Sequence, residues 1–365
     1  MTRALDVITV VGTRPNLVKA AALDQAFRRH GGFRHRLLNT GQHYDTDLYL
    51  QQWQALNVSS ATWNLGVGSS THSTQTAKMM LGIEDALRSA GPVDALIIPG
   101  DVNSGLAGAL VGSQMRIPIA HVEAGLRSFE RGMPEERNRR VIDCLSDICF
   151  VSEEVGVQNL VREGRQASEI HMVGNILADA VESMALDQPG LRGPEQPPAY
   201  GLVTLHREGT VDDPAMLVPV LLALEAFAAE SGMPLMFPVH PRTRARIGSL
   251  GFAGLQCVSP LAYGEFLRLL RGALLVLTDS GGVQVEACLL GTPCVTLRNE
   301  TEHRATLEFG NNRLAGLEPD SILKCAREAL KGQRPAVVRP PRWDGGTGDR
   351  IADILWEHFA RSERG

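Results

Sequence analysis

The segment 278–291, TDSGGVQVEACLLG, follows an apolar run and places Ser280, Gly281 and Gly282 at the predicted start of a helix. Two adjacent glycines are a poor way to begin a helix unless a ligand must approach the backbone closely. The free N–H groups and the helix dipole favour an anion such as a diphosphate. Glu286 follows about one turn later, where a carboxylate can accept both hydroxyls of a ribose. The spacing favours a nucleotide site over the alternative, a tight strand-to-helix turn followed by a solvated glutamate.

A second candidate anion site lies in VVGTRPNLVK, where Arg14 and Pro15 open a predicted helix that also carries Lys19. Proline in the first turn is preorganised for a helix, and an arginine there sits where a phosphate would approach. The alternative is that Arg14 caps carbonyl groups of a neighbouring strand. No G-x-x-x-x-G-K-[ST] segment occurs, so ATP hydrolysis is not predicted.

Three acidic residues follow strands or loops of the first half: Asp101 in IIPGDVNSG, Glu123 in AHVEAGLR and Glu135 in MPEERNRR. Carboxylates at strand ends suit general acid and base catalysis, provided that burial raises the pKa of at least one of them. The alternative for Asp101 is that it caps the next helix. Arg139 belongs to a basic run beside Glu135, and the alternative for that run is a solvated charged face.

Two histidines follow predicted strands of the second half, His206 in TLHRE and His240 in FPVHPRTR. A histidine at such a position can donate to a phosphate oxygen or transfer a proton, whereas the alternative is a histidine bonded to the backbone. Their matching positions favour phosphate contact. Arg298, directly after PCVTL, is a further candidate for substrate binding.

The composition is that of a globular protein, with 44% hydrophobic and 21% charged residues in a chain of 365. The formal net charge of −5 gives no general attraction to nucleic acid or to an anionic membrane, so neither is an expected partner. Six cysteines without a C-x-x-C pair indicate neither disulfides nor a metal site, and no cofactor is expected. The N-terminal apolar run is too short for a signal peptide and no run approaches about 18 apolar residues, so we expect a cytoplasmic protein.

Short apolar runs alternate with segments of helical periodicity in both halves of the chain, which predicts an α/β fold of two doubly wound, Rossmann-like domains. Ligands are expected in a central cleft that the two domains face, at the carboxyl ends of their strands. The apolar runs are LDVITVV, RLLNT, ALIIPG, PIAHVEA, ICFVS and IHMVG in the first half, and YGLVTL, PLMFPV, LQCV, ALLVL, PCVTLR and RLAG in the second.

The predicted domains are an N-terminal domain with the candidate carboxylates over residues 1–185 and a nucleotide-binding domain over 200–348. A Pro/Gly-rich segment, LDQPGLRGPEQPPA, suggests a linker over 186–199. Residues 349–365 are predicted to form a helix that crosses back to the N-terminal domain.

Taken together, the motifs resemble the non-hydrolysing UDP-N-acetylglucosamine 2-epimerases, a family with the two-domain GT-B architecture. The resemblance spans nearly the whole chain, and although each motif alone is weak, the set is specific. The motifs are GTRPN, TGQHYD, PGDVNSG, HVEAGLRSFERGMPEERNR, FVSE, VGN, HRE, HPRTR, TDSGGVQVEA, TEH, GNNRL and WDGGTGDRI.

The resemblance implies inversion at C2 of the sugar in UDP-N-acetylglucosamine, which gives UDP-N-acetylmannosamine. A base removes the C2 proton as UDP leaves C1, which gives 2-acetamidoglucal and UDP, and UDP then returns with a proton delivered to the opposite face. Because the C2 proton is not acidic, cations and helix ends must stabilise the departing UDP. Protonation on two faces needs more than one carboxylate.

The resemblance also implies roles for individual residues. Asp101, Glu123 and Glu135 match the acidic catalytic residues, and which of them is the base for which epimer stays open. Arg14, Lys19, Arg139 and His206 match basic residues of the phosphate side and active site, whereas Ser280, Gly281, Gly282 and Glu286 match the UDP-binding turn and ribose ligand. A homodimer is expected from the family, and Gln42, His43 and Gln75 match parts of an allosteric site for a second UDP-N-acetylglucosamine.

Some positions depart from the usual family pattern. Asn16 replaces a glutamate that often follows GTRP, and Val285 replaces the first glutamate of Gln-Glu-Glu. Where members usually have Thr-Glu-Arg-Pro, this chain has His303 and Arg304 in place of the last two residues. Because that segment is expected to face the nucleotide and sugar, these changes bear on the choice of substrate.

Four alternatives stay open at this point. One is a hydrolysing 2-epimerase that releases N-acetylmannosamine and UDP, and another is an epimerase of a different UDP-N-acetylhexosamine. A GT-B glycosyltransferase would share the nucleotide turn but would need an acceptor. A UDP-sugar sensor without catalysis is suggested by the altered TEHRAT segment.

Overall fold

A computed structural model describes residues 3–41, 56, 58–184, 199–211, 213–239, 244, 247, 252–332 and 337–362. The chain divides into two compact units, unit 1 with Met1–Ser183 and Pro341–Gly365, and unit 2 with Met184–Pro340. The predicted linker 186–199 lies outside the described residues except for Ala199, so the boundary proposed there stays a prediction.

Unit 1 is built on a seven-stranded parallel sheet. Its strands are β1 Leu5–Val11, β2 Phe33–Asn39, β3 Trp63–Asn64, β4 Ala95–Pro99, β5 Ile119–Ala124, β6 Ile148–Val151 and β7 Ile170–Met172. Their order is β3-β2-β1-β4-β5-β6-β7, and β1 is buried along its whole length, as expected for a parallel strand with both faces covered. The order reverses between β1 and β4, and ligand sites of open α/β sheets lie at the carboxyl ends of strands beside such a reversal.

The described α-helices of unit 1 up to Ser183 each follow a strand of its sheet. They are α1 Arg14–His30, α2 His72–Ala90, α3 Asn103–Met115, α4 Pro134–Leu145, α5 Glu154–Arg162 and α6 Ile176–Ser183, with a short 3₁₀ turn at Ala167–Glu169. Helix α1 shows how local sequence sets these bounds: Pro15 lies in its first turn, and Gly31 ends it in the left-handed conformation with its N–H bonded to the Phe27 carbonyl. The chain is thereby turned directly into β2.

Unit 2 repeats this construction with a six-stranded parallel sheet in the order β10-β9-β8-β11-β12-β13, which reverses between β8 and β11. Its strands are β8 Gly201–Thr204, β9 Leu235–Pro238, β10 Leu255–Val258, β11 Val276–Thr278, β12 Cys294–Thr296 and β13 Asn312–Leu314. Its helices are α7 Glu208–Val211, α8 Pro214–Ser231, α9 Tyr263–Gly272, α10 Gly281–Leu290, α11 Ala305–Glu308 and α12 Pro319–Lys331. The predicted fold class, α/β with two parallel sheets, is therefore confirmed.

Helix α8 is the most apolar long helix of unit 2. Leu217, Leu221, Leu224 and Phe227 pack from it into the core beneath the sheet. Among the described residues it is the one helix that is long and apolar enough, by length and composition, to cross a membrane. A core helix of a globular domain passes the same test, and the buried residues of α8 give it that role here.

The C-terminal helix, α13 Thr347–Ser362, belongs to unit 1 and packs against α1. Asp179 on α6 accepts the first N–H groups of this helix, from Thr347 at 3.1 Å and Gly348 at 2.7 Å. Just before the helix, the side chain of Trp343 is fully buried and its indole N–H donates to the Ser152 carbonyl at 2.9 Å. One aromatic anchor and one capped helix start thus tie the end of the chain to unit 1.

Several predicted boundaries are wrong by a few residues. Strand β2 covers Phe33–Asn39, so it begins before the RLLNT run that predicted it. The ALLVL strand is displaced to Val276–Thr278, since the chain pairs with β8 and β12 only from Val276 onward. Helix α12 was not predicted.

Replacement of Trp343 with alanine should destabilise unit 1 by about 3–5 kcal/mol, because it removes a fully buried aromatic ring and leaves a cavity. Thermal unfolding followed by circular dichroism measures this effect. As a control, Val161→Ala removes a side chain that is 53% exposed and should change the melting temperature little. Equal melting temperatures for the Trp343 variant and the wild type would contradict the anchoring role.

Candidate active site

The centre of the candidate site in unit 1 is an ion pair between Lys19 on α1 and Glu123 at the end of β5. Nζ of Lys19 donates to Oε2 of Glu123, and both side chains are about nine-tenths buried. Removal of either partner would leave the other charge buried without compensation, which is costly. The other oxygen of Glu123, Oε1, is buried and has no hydrogen-bond partner within the described part of the chain. A carboxylate oxygen without a hydrogen-bond partner is placed to accept a proton from a bound molecule.

Glu123 is presented from a strained backbone position. Its φ is +73°, in the left-handed region, and the register of β5 against β6 shifts between Val122 and Ala124. A non-glycine residue in that region costs about 1–2 kcal/mol. Such strain is found where the surrounding structure fixes a residue for function. The bulge leaves Glu123 out of the β5–β6 pairing and within reach of Lys19.

Gly100, at the end of β4, lets the backbone pass directly beside this ion pair. It has φ +91°, and a methyl group built on it would lie 3.0 Å from Nζ of Lys19 and 3.8 Å from Oε2 of Glu123. Any larger residue would therefore press on the pair. The residue that follows Gly100 in the chain is Asp101, a second candidate carboxylate.

Asp101 is held by Arg139, which reaches it from α4. The guanidinium binds Oδ2 of Asp101 through Nε at 2.9 Å and Nη2 at 2.6 Å, and binds Glu136 at 3.2 Å through Nη1. Asp101 is not the N-cap of α3, because that position belongs to Val102, so the capping alternative is wrong. Nor does Arg139 belong to a solvated face, since its side chain is 2% exposed. Glu135 is half-buried and lies four residues before Arg139, so the two share one face of α4.

The start of α1 supports the same region. Thr13 donates to Oδ1 of Asn16 at 2.7 Å, and Nδ2 of Asn16 donates to the Pro99 carbonyl. The departure at Asn16 thus has a structural use, because its amide joins α1 to the end of β4. Arg14 is half-buried in the first turn of α1, whose N-cap Thr13 makes no side-chain capping bond.

Gln75 takes part in a buried polar network that ends beside Asp101. Its Oε1 accepts from Asn103 at 2.8 Å, Oδ1 of Asn103 accepts from Asn138 at 3.3 Å, and Asn138 also donates to the Asp101 carbonyl at 2.9 Å. Gln42 and His43, the other predicted allosteric residues, lie outside the described residues.

In unit 2, the predicted nucleotide turn forms the N-terminus of α10. Ser280 is the N-cap, and its hydroxyl accepts weakly from the Val283 N–H at 3.5 Å. Gly281 and Gly282 occupy the first helical positions, half-buried, so backbone N–H groups are presented without side chains. Glu286 lies further along α10 and is 6% exposed, so it is a buried rather than a solvated glutamate.

Two arginines converge on a carboxylate next to this helix start. Oε2 of Glu302 accepts from Arg298 at 2.8 Å, and Oε1 lies 3.7 Å from Arg207. A methyl group on Gly281 would lie 2.7 Å from Oε1 of Glu302 and 3.1 Å from Nε2 of His303. The cluster carries more positive than negative charge beside the positive end of a helix, an arrangement that favours an anion.

The two residues that depart from the family pattern in TEHRAT lie in different environments. His303 is buried against the start of α10. Arg304 is exposed and lies 3.6 Å from the carboxylate of Glu300. Only His303 is therefore placed to affect a ligand at α10.

Asp279 joins the two strands on either side of the sheet reversal in unit 2. Its carboxylate accepts the N–H groups of His206 and Arg207 at 3.0 Å each and lies 2.9 Å from Nδ1 of His206. Burial by itself would raise the pKa of Asp279, but the charge of His206 and these hydrogen bonds together hold the pKa below its ordinary value. His206 is thus bonded to a carboxylate rather than only to backbone, and its side chain is 61% exposed.

His240 lies outside the described residues, so its position stays a prediction. Asp279, Glu302 and Glu136 were missed from the sequence, although each stands beside a predicted site residue. A signal was present for Asp279, which separates an apolar strand from the Ser-Gly-Gly turn. No group of three or more potential metal ligands occurs among the described residues.

Comparisons with known proteins show the family to which this chain is similar. A sequence model of the UDP-N-acetylglucosamine 2-epimerase family matches residues 25–356. The UDP-N-acetylglucosamine 2-epimerase of Methanococcus maripaludis is 35% identical over 95% of this chain and 97% of its own length. The UDP-2,3-diacetamido-2,3-dideoxy-D-glucuronate 2-epimerase of Pseudomonas aeruginosa is 38% identical over 89% of this chain and 92% of its own length.

A solved structure shows the same likeness in three dimensions. It is the Methanocaldococcus jannaschii UDP-GlcNAc 2-epimerase in complex with UDP-GlcNAc and UDP. The two chains are 36% identical and superimpose with a TM-score of 0.89 over 97% of this chain and 99% of the other.

Replacement of Asp279 with asparagine should destabilise unit 2 by about 1–3 kcal/mol near pH 7, because a buried charge-assisted network is lost. The folded pKa lies below the unfolded value of about 3.9, so the ionised carboxylate stabilises the fold fully above that value. This contribution is lost as the pH falls through the folded pKa. Urea unfolding of the wild type and the variant at several pH values should therefore show a difference in the free energy of unfolding that becomes smaller below about pH 4. A difference in unfolding free energy that becomes larger at low pH would contradict the lowered pKa of Asp279.

Proposed function

This chain belongs to the UDP-N-acetylglucosamine 2-epimerase family, and we propose that it interconverts UDP-N-acetylglucosamine and UDP-N-acetylmannosamine without hydrolysis. The observation that carries the proposal is the Lys19–Glu123 pair, a buried carboxylate with one unoccupied oxygen on a strained turn. The complex of the M. jannaschii relative with UDP-GlcNAc and UDP supports the choice of substrate.

The proposed reaction begins with loss of UDP. A carboxylate of unit 1 takes the C2 proton as the C1–oxygen bond breaks, and the electron pair of the C2–H bond forms the double bond of 2-acetamidoglucal. UDP leaves with the electrons of the C1–oxygen bond. In the reverse step, UDP adds to C1 and C2 receives a proton on its other face. Asp101, Glu123 and Glu135 are the proposed carboxylates, since two-faced protonation needs more than one.

Unit 2 is the proposed nucleotide site. The N–H groups at Gly281 and Gly282 and the arginines beside Glu302 support binding of the diphosphate. Glu286 is the proposed ribose ligand. His206 is the proposed basic residue for the leaving phosphate, and its Asp279 partner fixes the orientation of its ring.

A second candidate is epimerisation of a UDP-linked diacetamido sugar that carries a carboxylate. The P. aeruginosa relative of that name is 38% identical, which is comparable to the relatives named for UDP-N-acetylglucosamine. Incubation with each sugar and identification of products by NMR separates these candidates. Free N-acetylmannosamine with UDP would instead indicate the hydrolysing reaction.

The homodimer and the cytoplasmic location stay predictions.

Glu123→Gln should abolish epimerisation and leave the dissociation constant for UDP nearly unchanged, because the amide keeps the shape but cannot accept the proton. Turnover by NMR and UDP binding by calorimetry measure the two effects. Glu130→Gln is the control, since Glu130 is exposed seven residues away in the chain. Activity retained by the Glu123 variant would remove this residue from the mechanism.

Glu286→Ala should weaken UDP binding by about 1.5–3 kcal/mol, the range for hydrogen bonds to a charged group. Calorimetry of UDP against this variant and against Glu230→Ala, an exposed glutamate of the same unit, checks the effect. A dissociation constant equal to that of the wild type would refute the ribose assignment.

A further inference from the structure

Building on the proposed function, we propose that Asp143 is a positioning residue, which with His121 holds the strained turn that presents Glu123. Asp143 lies on α4, and the polar contacts of its carboxylate with this segment are to His121, Gly125 and Arg127 rather than to Glu123 itself. Its effect on the reaction would pass through the backbone on both sides of Glu123.

One carboxylate binds three points of the segment around Glu123. Oδ1 of Asp143 is 2.6 Å from Nδ1 of His121, two residues before Glu123. Oδ2 accepts the Gly125 N–H at 3.1 Å and lies 2.7 Å from Nη2 of Arg127. Contacts on both sides of the turn restrict its movement more than a contact on one side, so Asp143 acts as a clamp across the bulge.

The clamp works against a turn that is unfavourable on its own. Both Glu123 and Gly125 have positive φ, at +73° and +79°. A methyl group on Gly125 would lie 2.4 Å from the Gly156 carbonyl, so α5 closes the turn from the opposite side. With the turn closed on both sides, the carboxylate of Glu123 is directed to Lys19.

His121 extends the clamp to the neighbouring strand. Its Nε2 is 3.2 Å from the Gly100 carbonyl, directly before Asp101. Each ring nitrogen thus faces an acceptor oxygen, so the imidazole links Asp143 to the backbone at the end of β4. His121, Asp143 and Arg127 are each 1% exposed. Burial by itself would raise the pKa of Asp143, but the charges and hydrogen bonds of His121 and Arg127 hold it below its ordinary value, so this carboxylate is ionised.

The same unit offers a matched control in Asp24. Asp24 is 1% exposed, lies 2.7 Å from Nδ1 of His35 and 2.6 Å from Arg28, and accepts the Ser59 N–H at 3.0 Å. It therefore has the same kinds of partner as Asp143, but they lie around β2 rather than around Glu123. A merely structural role for Asp143 predicts that the two aspartates respond alike.

The test compares Asp143→Asn with Asp24→Asn by kinetics, UDP calorimetry and crystallography. For Asp143→Asn we expect kcat to fall by about 10- to 100-fold, because a small displacement of a reacting group has an effect of this size. KM and the UDP dissociation constant should stay within about 2-fold, as expected for loss of an effect on the chemical step. The crystal structure should show Glu123 displaced from Lys19. Asp24→Asn should lose stability but keep kcat within about 2-fold.

Two variants of His121 provide a second test if Asp143→Asn does not fold. His121→Asn keeps a donor facing Asp143, whereas His121→Gln keeps one facing the Gly100 carbonyl, so the first should retain more activity. Equal activity for these two variants would overturn the proposal. A folded Asp143→Asn variant with the kcat of the wild type would also overturn the proposal. A crystal structure of that variant with Glu123 in its original position would overturn it as well. If the wild type epimerises no UDP-sugar, the proposed function is wrong. The position of Glu123 in the Asp143→Asn crystal structure then still tests whether Asp143 holds the turn.

Discussion

The buried ion pair between Lys19 and Glu123 is the interaction on which the proposed chemistry of unit 1 depends. It needs a strand that breaks its register, a glutamate in a left-handed conformation and a glycine at the end of the adjacent strand. Each of these is unfavourable or restrictive alone. Because charges buried without partners are costly, the pair and its surroundings must be retained together. The strain at Glu123 is thereby tied to its ion pair with Lys19.

The proposed role of unit 2 is to bind an anion, and its parallel sheet also reverses its strand order once. A helix start without side chains supplies N–H groups, and Arg207 and Arg298 add charge beside it. Asp279 stays ionised in a buried position because backbone N–H groups and His206 compensate its burial. In both units the polar residues gather at the carboxyl ends of strands beside the reversal of sheet order, where α/β ligand sites lie.

The sequence predicted the elements that carry strong local signals. The mostly apolar, fully buried β1 and the Ser-Gly-Gly start of α10 were predicted because neighbouring residues along the chain carry the signal for each. The partners of the site residues could not be predicted, because the Lys19–Glu123 and Arg139–Asp101 contacts join residues that are distant in the chain. The positive φ of Glu123 could not be predicted either, because non-glycine residues rarely adopt such a conformation and a glutamate therefore gives no sign of it.

The central claim is that this protein removes and replaces the proton at C2 of a UDP-sugar. Its most direct test is to incubate the wild-type protein with UDP-N-acetylglucosamine in deuterium oxide and to observe C2 by NMR. The account predicts that deuterium enters at C2 in both epimers and that no acceptor is needed. Full retention of the original hydrogen at C2, in protein that binds UDP and is folded, would contradict it.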